Sequence, residues 1–327
     1  MNYAKHYCLL WILCSFAITS GFSQVLVKRQ VTLMGSVFEI SLVDQDSSIA
    51  NQHIDEVISE IDRIENLISE WRPQTQIAEV NRNAGIAPVK VDREVFELTK
   101  RAIQYAQNSA GAFDISIVAL DKVWLFDGSM NTMPAEEVIR NSVAKVGYKH
   151  IRLDSAASTI FLELSGMKIG FGSIGKGYAA DRGRQIMKEK GIVAGIVNAS
   201  GDLSAWGNPP NSDAWKIGVN NPFKPHRMVK VLRFNEMSVA TSGSYEKYAE
   251  INGKRYSHII NPVTGYPATG LTSVTIYGPS AEIANALSTS IMVLGEKEGK
   301  KLIQHFPAYR YIFITDQGKV IQQRRKS

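Results

Sequence analysis

Residues 240–265 read ATSGSYEKYAEINGKRYSHIINPVTG and carry the strongest structural signal in this chain. Hydroxyls, tyrosines, glycines, a histidine and an Asn-Pro turn follow one another, with little of the apolar pattern that a strand core or a helix stripe requires. Such a composition is typical of backbone that approaches a ligand closely and hydrogen-bonds to it. The stretch therefore indicates part of a binding site, which begins within a strand predicted at residues 238–241 and precedes a strand predicted at residues 273–277.

Three further segments share this character and predict a single site assembled from distant parts of the chain. Residues 170–181 read GFGSIGKGYAAD, residues 198–207 read NASGDLSAWG, and residues 282–295 form a predicted helix with hydroxyls and an amide on one face. Glycines at this density favour close approach of the backbone to a ligand.

The composition places the chain among folded globular proteins. Its 327 residues are 44% hydrophobic and 21% charged, and the formal net charge is +6. Mild basicity of this size suits an anionic small-molecule substrate. The sequence has no basic stretch interleaved with aromatic residues, so nucleic-acid binding is not predicted.

The first 23 residues have the pattern of a secretory signal peptide. Lys5 and His6 precede the apolar residues 9–18, and small residues follow. The apolar run is too short to span a bilayer comfortably, and an uncleaved anchor is the alternative. We therefore expect residues 1–23 to be removed and residues 24–327 to form the mature domain, exported to the periplasm.

Both cysteines, Cys8 and Cys14, lie in this leader, so the mature chain would contain neither a disulfide nor a free thiol. A lipid anchor requires a small residue just before the cysteine, and Leu13 precedes Cys14, which argues against a lipoprotein. A domain of about 300 residues buries enough apolar surface to fold without disulfides.

Hydrophobic periodicity predicts an α+β fold of one domain. Amphipathic helices are predicted at residues 49–71, 92–107, 134–146, 178–190 and 281–294. Strands are predicted at residues 25–43 (a hairpin bent at Met34-Gly35-Ser36), 151–153, 159–164, 168–171, 195–198, 215–219, 229–234, 238–241, 273–277 and 310–314. Because these elements are interspersed without regular βαβ order, mixed or antiparallel sheets with packed helices are favoured over a doubly wound sheet. The predicted architecture is a single domain of two lobes around a cleft.

Residues 170–177 nearly spell a phosphate-binding P-loop, with Gly170 and Gly175-Lys176 at the required spacing. The motif needs Ser or Thr next, to hold Mg²⁺, and Gly177 stands there instead, which argues against a nucleoside-triphosphate site. Glycines that lead into a helix still offer free N–H groups and a positive dipole end to an anion, with Lys176 as a point charge. The alternative is a tight strand-to-helix turn that needs glycine only for its dihedral angles.

Polar and aromatic side chains elsewhere are further candidates for the site. Asn285 and Thr289 stand at i and i+4 on one helix face, and oxygen ligands of this kind suit a hard cation such as Mg²⁺. A small-residue packing face is the alternative. His258, in a predicted strand-to-turn segment, is either a structural histidine or a site residue. Phe113 and Trp124 are either core aromatics or a wall for a flat ring.

Taken together, these segments resemble the ApbE family of FAD:protein FMN transferases. The similarity runs, in order, through Met34-Gly35-Ser36, Gly111-Ala112-Phe113-Asp114-Ile115 with Trp124, Gly175-Lys176-Gly177-Tyr178-Ala179 with Asp181, Asn198-x-x-Gly201-Asp202, Ala240-Thr241-Ser242-Gly243, Tyr256-Ser257-His258-Ile259-Ile260, and residues 285–295. Seven ordered segments across nearly the whole mature chain are far more specific than any one of them. The resemblance implies an ApbE-like fold, related to the T-fold.

The resemblance also implies an activity and its partners. Family members use Mg²⁺ to move the FMN half of FAD onto a threonine or serine of an acceptor protein, releasing AMP. The acceptor is typically a flavoprotein subunit of a membrane electron-transport complex, so peripheral contact with the membrane is implied as well.

By similarity, the site residues fall into three groups. FAD would be bound by Met34, Trp71, Ala112, Phe113, Asp114, Gly170, Lys176 and Ile260. The metal would be bound by Ser173 (through its backbone oxygen), Asn285, Ser288 and Thr289. Of the two implied catalytic residues, Lys176 neutralises phosphate charge and His258 positions or deprotonates the incoming hydroxyl.

The sequence departs from the family pattern at two positions. The usual aspartate on the metal-binding helix is Asn285, and the usual acid after His-Ile-Ile is Asn261. An amide oxygen still coordinates Mg²⁺ but brings no charge, so the implied protein ligands are all neutral. We therefore expect weak Mg²⁺ binding without FAD and ordinary binding with it. The alternatives are an FAD pyrophosphatase, with water as the acceptor, and a non-catalytic exported flavin-binding protein.

Overall fold

The computed structural model describes residues 24–120, 123–224, 226–245 and 247–323. The predicted signal peptide and both cysteines lie outside these residues. Across the described ranges, no helix is both long enough and apolar enough to cross a membrane.

The elements confirm an α+β fold. The helices are α1 (Ser47–Ile68), α2 (Gln76–Arg82), α3 (Arg93–Asn108), α4 (Glu136–Val143), α5 (Gly175–Glu189) and α6 (Ala281–Gln304), with 3₁₀ turns at Ile115–Leu120 and Tyr148–His150. The strands are β1 (Val25–Leu33), β2 (Ser36–Asp44), β3 (Val89–Lys90), β4 (Ile151–Asp154), β5 (Thr159–Leu162), β6 (Ala194–Ala199), β7 (Asp202–Trp206), β8 (Trp215–Asn220), β9 (Met228–Phe234), β10 (Met237–Gly243), β11 (Tyr248–Ile251), β12 (Lys254–Ser257), β13 (Leu271–Gly278), β14 (Arg310–Thr315) and β15 (Val320–Gln322).

The main sheet has eight strands in the order β1-β2-β6-β7-β10-β13-β14-β15, and each pairing in it is antiparallel. Two-residue turns close two of its hairpins, Met34-Gly35 between β1 and β2 and Ser200-Gly201 between β6 and β7. All four turn residues have positive φ, the geometry that matches the twist of paired strands. The predicted antiparallel sheet with a bend at Met34 is confirmed.

Helices cover one face of this sheet and a β-hairpin covers the other. α1 and α5 pack on β1, β2, β6 and β7, and α6 packs on β10 and β13. The predicted stripe of α1 forms the centre of the largest apolar cluster, with Ile54, Val57, Ile61 and Ile64 all fully buried. On the opposite face, the β8–β9 hairpin contributes residues such as Trp215 and Phe234 to a second cluster.

Two predicted elements differ from those in the structure. The helix expected at residues 49–71 ends at Ile68, so Trp71 lies in the following loop and is 76% exposed rather than part of the buried stripe. The strand expected at residues 168–171 does not form. Instead, the Asn81 side chain binds the backbone of Ile169 on both sides, donating to its oxygen at 2.9 Å and accepting from its nitrogen at 2.8 Å. A side-chain amide thus replaces a neighbouring strand.

α5 begins at Gly175, three residues before the predicted start, and its first turn packs directly on α6. A Cβ at Gly177 would lie 2.5 Å from the carbonyl oxygen of Ala281. The missing side chain therefore allows the two helices to touch, which explains why glycine rather than a P-loop Ser or Thr stands at this position. The helix predicted to end before Gly295 does leave helical geometry there, with φ of 75°, but α6 resumes after this kink and runs to Gln304.

Asp181 holds the start of α6 against α5. Its carboxylate accepts hydrogen bonds from the backbone nitrogens of Ala281 and Glu282, both at 3.0 Å, and from Ser280 Oγ at 2.7 Å. A negative charge at a helix N-terminus satisfies unpaired N–H groups and interacts favourably with the helix dipole. This contact fixes the position of α6 relative to α5.

We expect Gly177→Ala to lower the free energy of unfolding by about 1–3 kcal/mol, because the new methyl group meets backbone rather than a movable side chain. Urea denaturation measures the change. Gly172→Ala is the matched control, since a Cβ there has no heavy atom within 4 Å. Equal stability of the two variants would show that the α5–α6 contact is not tight.

Candidate active site

The N-terminus of α5 is the centre of the candidate site. Within the ranges that the structure covers, no side chain caps this helix, and the backbone nitrogens of Lys176 and Gly177 donate to no backbone carbonyl. Among the described residues, the Lys176 ammonium group has no ion pair or hydrogen bond with another side chain. Free N–H groups, a positive helix end and an adjacent cation together form an anion site suited to phosphate.

Several predicted FAD-binding residues surround this helix end. Gly175 faces the side chains of Met34 and Ile68, because a Cβ on it would lie 3.4 Å from Met34 Cε. Gly170 donates a backbone hydrogen bond to Ile115, at 2.9 Å, and packs against Glu70, the neighbour of the exposed Trp71. The structure therefore brings the loops that carry Met34, Trp71, Gly170 and Lys176 together.

The segment at residues 112–114 is buried and held by hydrogen bonds inside the protein. Ala112, Phe113 and Asp114 are 6%, 1% and 5% exposed, and Phe113 packs edge-on against Tyr105. The Asp114 carboxylate accepts from the backbone nitrogens of Ser116 and Tyr148, at 2.8 and 2.7 Å. Burial raises the pKa of Asp114, and these hydrogen bonds oppose the rise. Phe113 and Asp114 are thus turned into the protein and shape this loop, and their contact with FAD stays a prediction.

Aromatic side chains from residues 124–126 and 256–266 form a second wall. Trp124 stacks on Tyr256 with ring centroids 6.0 Å apart, and its indole nitrogen donates to the carbonyl of Gly265 at 2.8 Å. Phe126 meets the His258 ring edge-on. Ile260 packs against this group and pairs with Pro267 in an isolated β-bridge. The stretch predicted as a binding wall is therefore held rigidly by Trp124.

His258 is oriented and kept neutral by its surroundings. Its Nδ1 lies 3.0 Å from the carbonyl oxygen of Lys247, so Nδ1 carries the proton and Nε2 is left as an acceptor. Burial lowers the pKa of His258, the charges of Lys247 and Lys176 lower it further, and the hydrogen bond to Lys247 opposes them. The influence of Lys176 shows that the two predicted catalytic residues lie within electrostatic reach of each other.

The predicted metal-binding residues meet beside this helix end. The Asn285 side chain lies 2.9 Å from the carbonyl oxygen of Ser173 and 3.2 Å from Oδ2 of Asp202. Two predicted ligands are thus adjacent, and a carboxylate stands next to them. The all-neutral ligand set stays a prediction, and the structure places an acidic side chain, Asp202 of the β6–β7 hairpin, beside it.

The other two predicted ligands differ from each other. Ser288 is fully buried, and its hydroxyl is bonded to Ser242 Oγ at 2.8 Å and to the Asn285 carbonyl at 3.0 Å, so it holds α6 to β10. Thr289 is partly exposed, with its hydroxyl 3.4 Å from Ser242 Oγ. Oxygens of Ser173, Asn285, Asp202 and Thr289 fit a hard cation, whereas no cluster of three His, Cys, Asp or Glu occurs in the described ranges.

Sequence reasoning missed two contributors to the site. Asp202 was seen only as part of a glycine-rich motif, although its place after a two-residue turn is a recognisable hairpin signal. Asn81, which fixes the chain beside Gly170, gave no signal because its partner is 88 residues away.

Comparison with solved structures and relatives agrees with this geometry. The crystal structure of an ApbE protein from Thermotoga maritima superposes with a TM-score of 0.84 at 30% identity, covering 91% of this chain and 97% of that one. The fold is thus that of ApbE proteins. A family model described as the ApbE family matches residues 34–313, and the chain belongs to this family.

Relatives named FAD:protein FMN transferase match over most of their length. The Treponema pallidum protein is 29% identical, with 97% of this chain and 94% of the relative covered. A Klebsiella pneumoniae protein is 31% identical, with 88% and 89% covered. These relatives are transferase enzymes by name.

Proposed function

We propose that this protein is an FAD:protein FMN transferase that uses Mg²⁺ and releases AMP. The observation that carries the proposal is the anion site at Lys176 with an oxygen-rich set around Asn285 beside it, at the start of α5, together with a histidine at residue 258 whose pKa the charge of Lys176 helps to lower. Pyrophosphate, an attacking hydroxyl and a hard cation need these three kinds of group.

Each residue of the site has a separate role in the reaction. His258 Nε2 accepts the proton of the acceptor's threonine or serine hydroxyl as its oxygen bonds to the FMN phosphorus. The bond from that phosphorus to the bridging oxygen breaks, and AMP leaves with this oxygen. Lys176 and the N–H groups of α5 neutralise the phosphate charge. Bound Mg²⁺, held by Ser173, Asn285, Asp202 and Thr289, would supply further charge neutralisation at the pyrophosphate.

The flavin would lie between the two walls of the site. Trp71 offers an exposed ring next to Glu70, which packs against Gly170, and Ile260 offers an apolar side chain in the cluster that contains Trp124. Stacking on an exposed aromatic ring is worth about 1–3 kcal/mol per base in other proteins. This arrangement favours a flat, anionic substrate over a peptide or a sugar.

We also propose that the chain is exported to the periplasm after removal of residues 1–23, where it modifies a flavoprotein subunit of a membrane electron-transport complex. The pattern of the first 23 residues supports export. N-terminal sequencing of the exported protein is expected to begin at Gln24, and an intact Met1 would refute cleavage.

Covalent flavin on the acceptor tests the activity. The protein is incubated with FAD and a candidate acceptor, with and without Mg²⁺, and flavin fluorescence is read on a denaturing gel. We expect a fluorescent acceptor band that requires both Mg²⁺ and the acceptor hydroxyl. Free FMN and AMP without a labelled band would identify a pyrophosphatase instead, and unchanged FAD at every Mg²⁺ level would identify a binding protein.

A further inference from the structure

The end of the Asn285 side chain lies against two hydrogen-bond acceptors in a buried part of the site. It is 2.9 Å from the Ser173 carbonyl oxygen and 3.2 Å from Asp202 Oδ2. Asn285 and Asp202 are 6% and 4% exposed, so bulk water screens these oxygens poorly. With no cation between them, the amide nitrogen, which carries two hydrogens, must face both acceptors.

The same atoms have the spacing of ligands around a small cation. Mg²⁺ binds oxygens at about 2.0–2.1 Å in octahedral geometry, which places neighbouring ligand oxygens about 2.9 Å apart. A half-turn of the terminal amide torsion exchanges nitrogen for oxygen at nearly the same position, and this torsion is soft and roughly two-fold. After the half-turn, the Asn285 oxygen stands next to both the Ser173 carbonyl oxygen and Asp202 Oδ2, as a third oxygen for a cation.

We propose that Asn285 and Asp202 form a two-state cation site. In the cation-free state the Asn285 amide nitrogen donates hydrogen bonds to Ser173 and Asp202 and so satisfies the two acceptors without a cation. In the cation-bound state the amide is turned, and Asp202 supplies the negative charge that α6 lacks at position 285. The physiological use of the site rests on the proposed function, but cation binding itself requires neither FAD nor an acceptor.

A rigid hairpin places Asp202 opposite α6. Asp202 is the first residue of β7 and pairs with Ala199 across the Ser200-Gly201 turn. The turn is braced by Asn198, whose side-chain oxygen accepts from the Gly201 nitrogen at 2.9 Å. The carboxylate position therefore does not depend on the side chain at residue 285, and the two positions can be changed independently.

Whether a substitution raises or lowers the affinity for Mg²⁺ follows from the total charge of the ligands. Asn285→Asp removes the amide that donates to Ser173 and Asp202. The new carboxylate then lies about as close to Asp202 as the amide does now, so each carboxylate disfavours the charge of the other until a cation binds. A second charged ligand raises affinity for a hard cation. We expect Mg²⁺ to bind this variant at least about tenfold more tightly than the wild type.

The test is calorimetric titration of Mg²⁺ into the FAD-free full-length protein, with melting temperatures at zero and saturating Mg²⁺. Wild type should bind weakly, since the ion must displace the amide. The Asn285→Asp variant should bind Mg²⁺ more tightly than the wild type and melt at a lower temperature without Mg²⁺. Its melting temperature should also rise more than that of the wild type when Mg²⁺ is added. Asp213→Asn, which removes one charge at an exposed position, should leave Mg²⁺ binding unchanged.

The double variant Asn285→Asp/Asp202→Asn isolates the contribution of Asp202. We expect it to lose the gain in affinity and to bind no better than wild type. Tight binding that persists in the double variant, or an Asn285→Asp variant no tighter than wild type, would overturn the two-state site. Since no FAD or acceptor is present, either failure is distinct from a failure of flavin transfer.

Discussion

His258→Ala is expected to reduce the rate of FMN transfer by about 10²–10⁴-fold, the usual contribution of a positioned general base. The Lys247 carbonyl holds Nδ1 as a donor, so Nε2 is the free acceptor in the neutral ring. The measurement is the initial rate of covalent flavin formation at saturating FAD. His305→Ala, an exposed histidine at the end of α6, is the control and should retain the wild-type rate.

The pH profile separates a base from a merely structural histidine. The pKa of His258 lies below its ordinary value of 6.5, and the neutral form is the active one. The rate should therefore stay constant as pH falls towards 6.5 and decline only below it, through the lowered pKa. Lys247→Gln removes one of the charges that lower this pKa, so the decline should move to higher pH. A profile that is identical in the two proteins, or a His258→Ala variant with normal rate, contradicts this role.

Lys176→Met is expected to lower kcat/KM for FAD by about 10²–10³-fold, since one preorganised donor at a developing charge is typically worth that much. The loss should appear in both FAD affinity and kcat, because phosphate charge is present in the substrate and grows in the transition state. Fluorescence titration of FAD and steady-state rates measure the two parts. Lys176→Arg should recover part of the affinity by keeping the charge.

Lys188→Met provides the matched control for Lys176. It removes the same charge from the other end of α5, where Lys188 pairs with Glu236 on the surface. The helix dipole favours anions at the N-terminus alone, so this variant should bind FAD normally. Equal losses in both variants would mean that net charge, rather than the site at Lys176, attracts the substrate.

Local patterns were sufficient to predict most elements of the fold. The α1 stripe and the hairpin bent at Met34 are set by periodicity and turn chemistry, which are properties of neighbouring residues. The β11–β12 hairpin was missed despite its signal, the Asn252-Gly253 dipeptide, whose residues both have positive φ. Because polar residues surround this turn, the segment was interpreted as a ligand-binding loop.

The remaining differences come from contacts between distant residues. Helix propensity disfavours Gly175 and Gly177, so the start of α5 was placed too late. Their lack of side chains is what lets α5 approach Ile68 and Ala281. Likewise, the extended chain at Ile169 resembles a strand in composition, but its hydrogen bonds go to Asn81.

In the candidate site, too, sequence motifs indicated some residues, whereas contacts between distant residues determine the position of another. Family resemblance named Lys176, Ser173 and Asn285, and the structure places them around one helix end. Resemblance gave no role to Asp202, because its carboxylate reaches Asn285 only through the pairing of β6 with β7. A carboxylate therefore stands beside Asn285, although the two residues are 83 positions apart in the chain.

Mass spectrometry of an acceptor peptide after reaction in ¹⁸O-labelled water tests the central claim most directly. The peptide carries one threonine, FAD and Mg²⁺ are supplied, and a threonine-to-alanine peptide is the control. A transferase adds FMN less one water to the threonine peptide alone and forms AMP without ¹⁸O, because the leaving oxygen comes from FAD. An unmodified peptide with ¹⁸O in free FMN would contradict the claim and show that water is the acceptor.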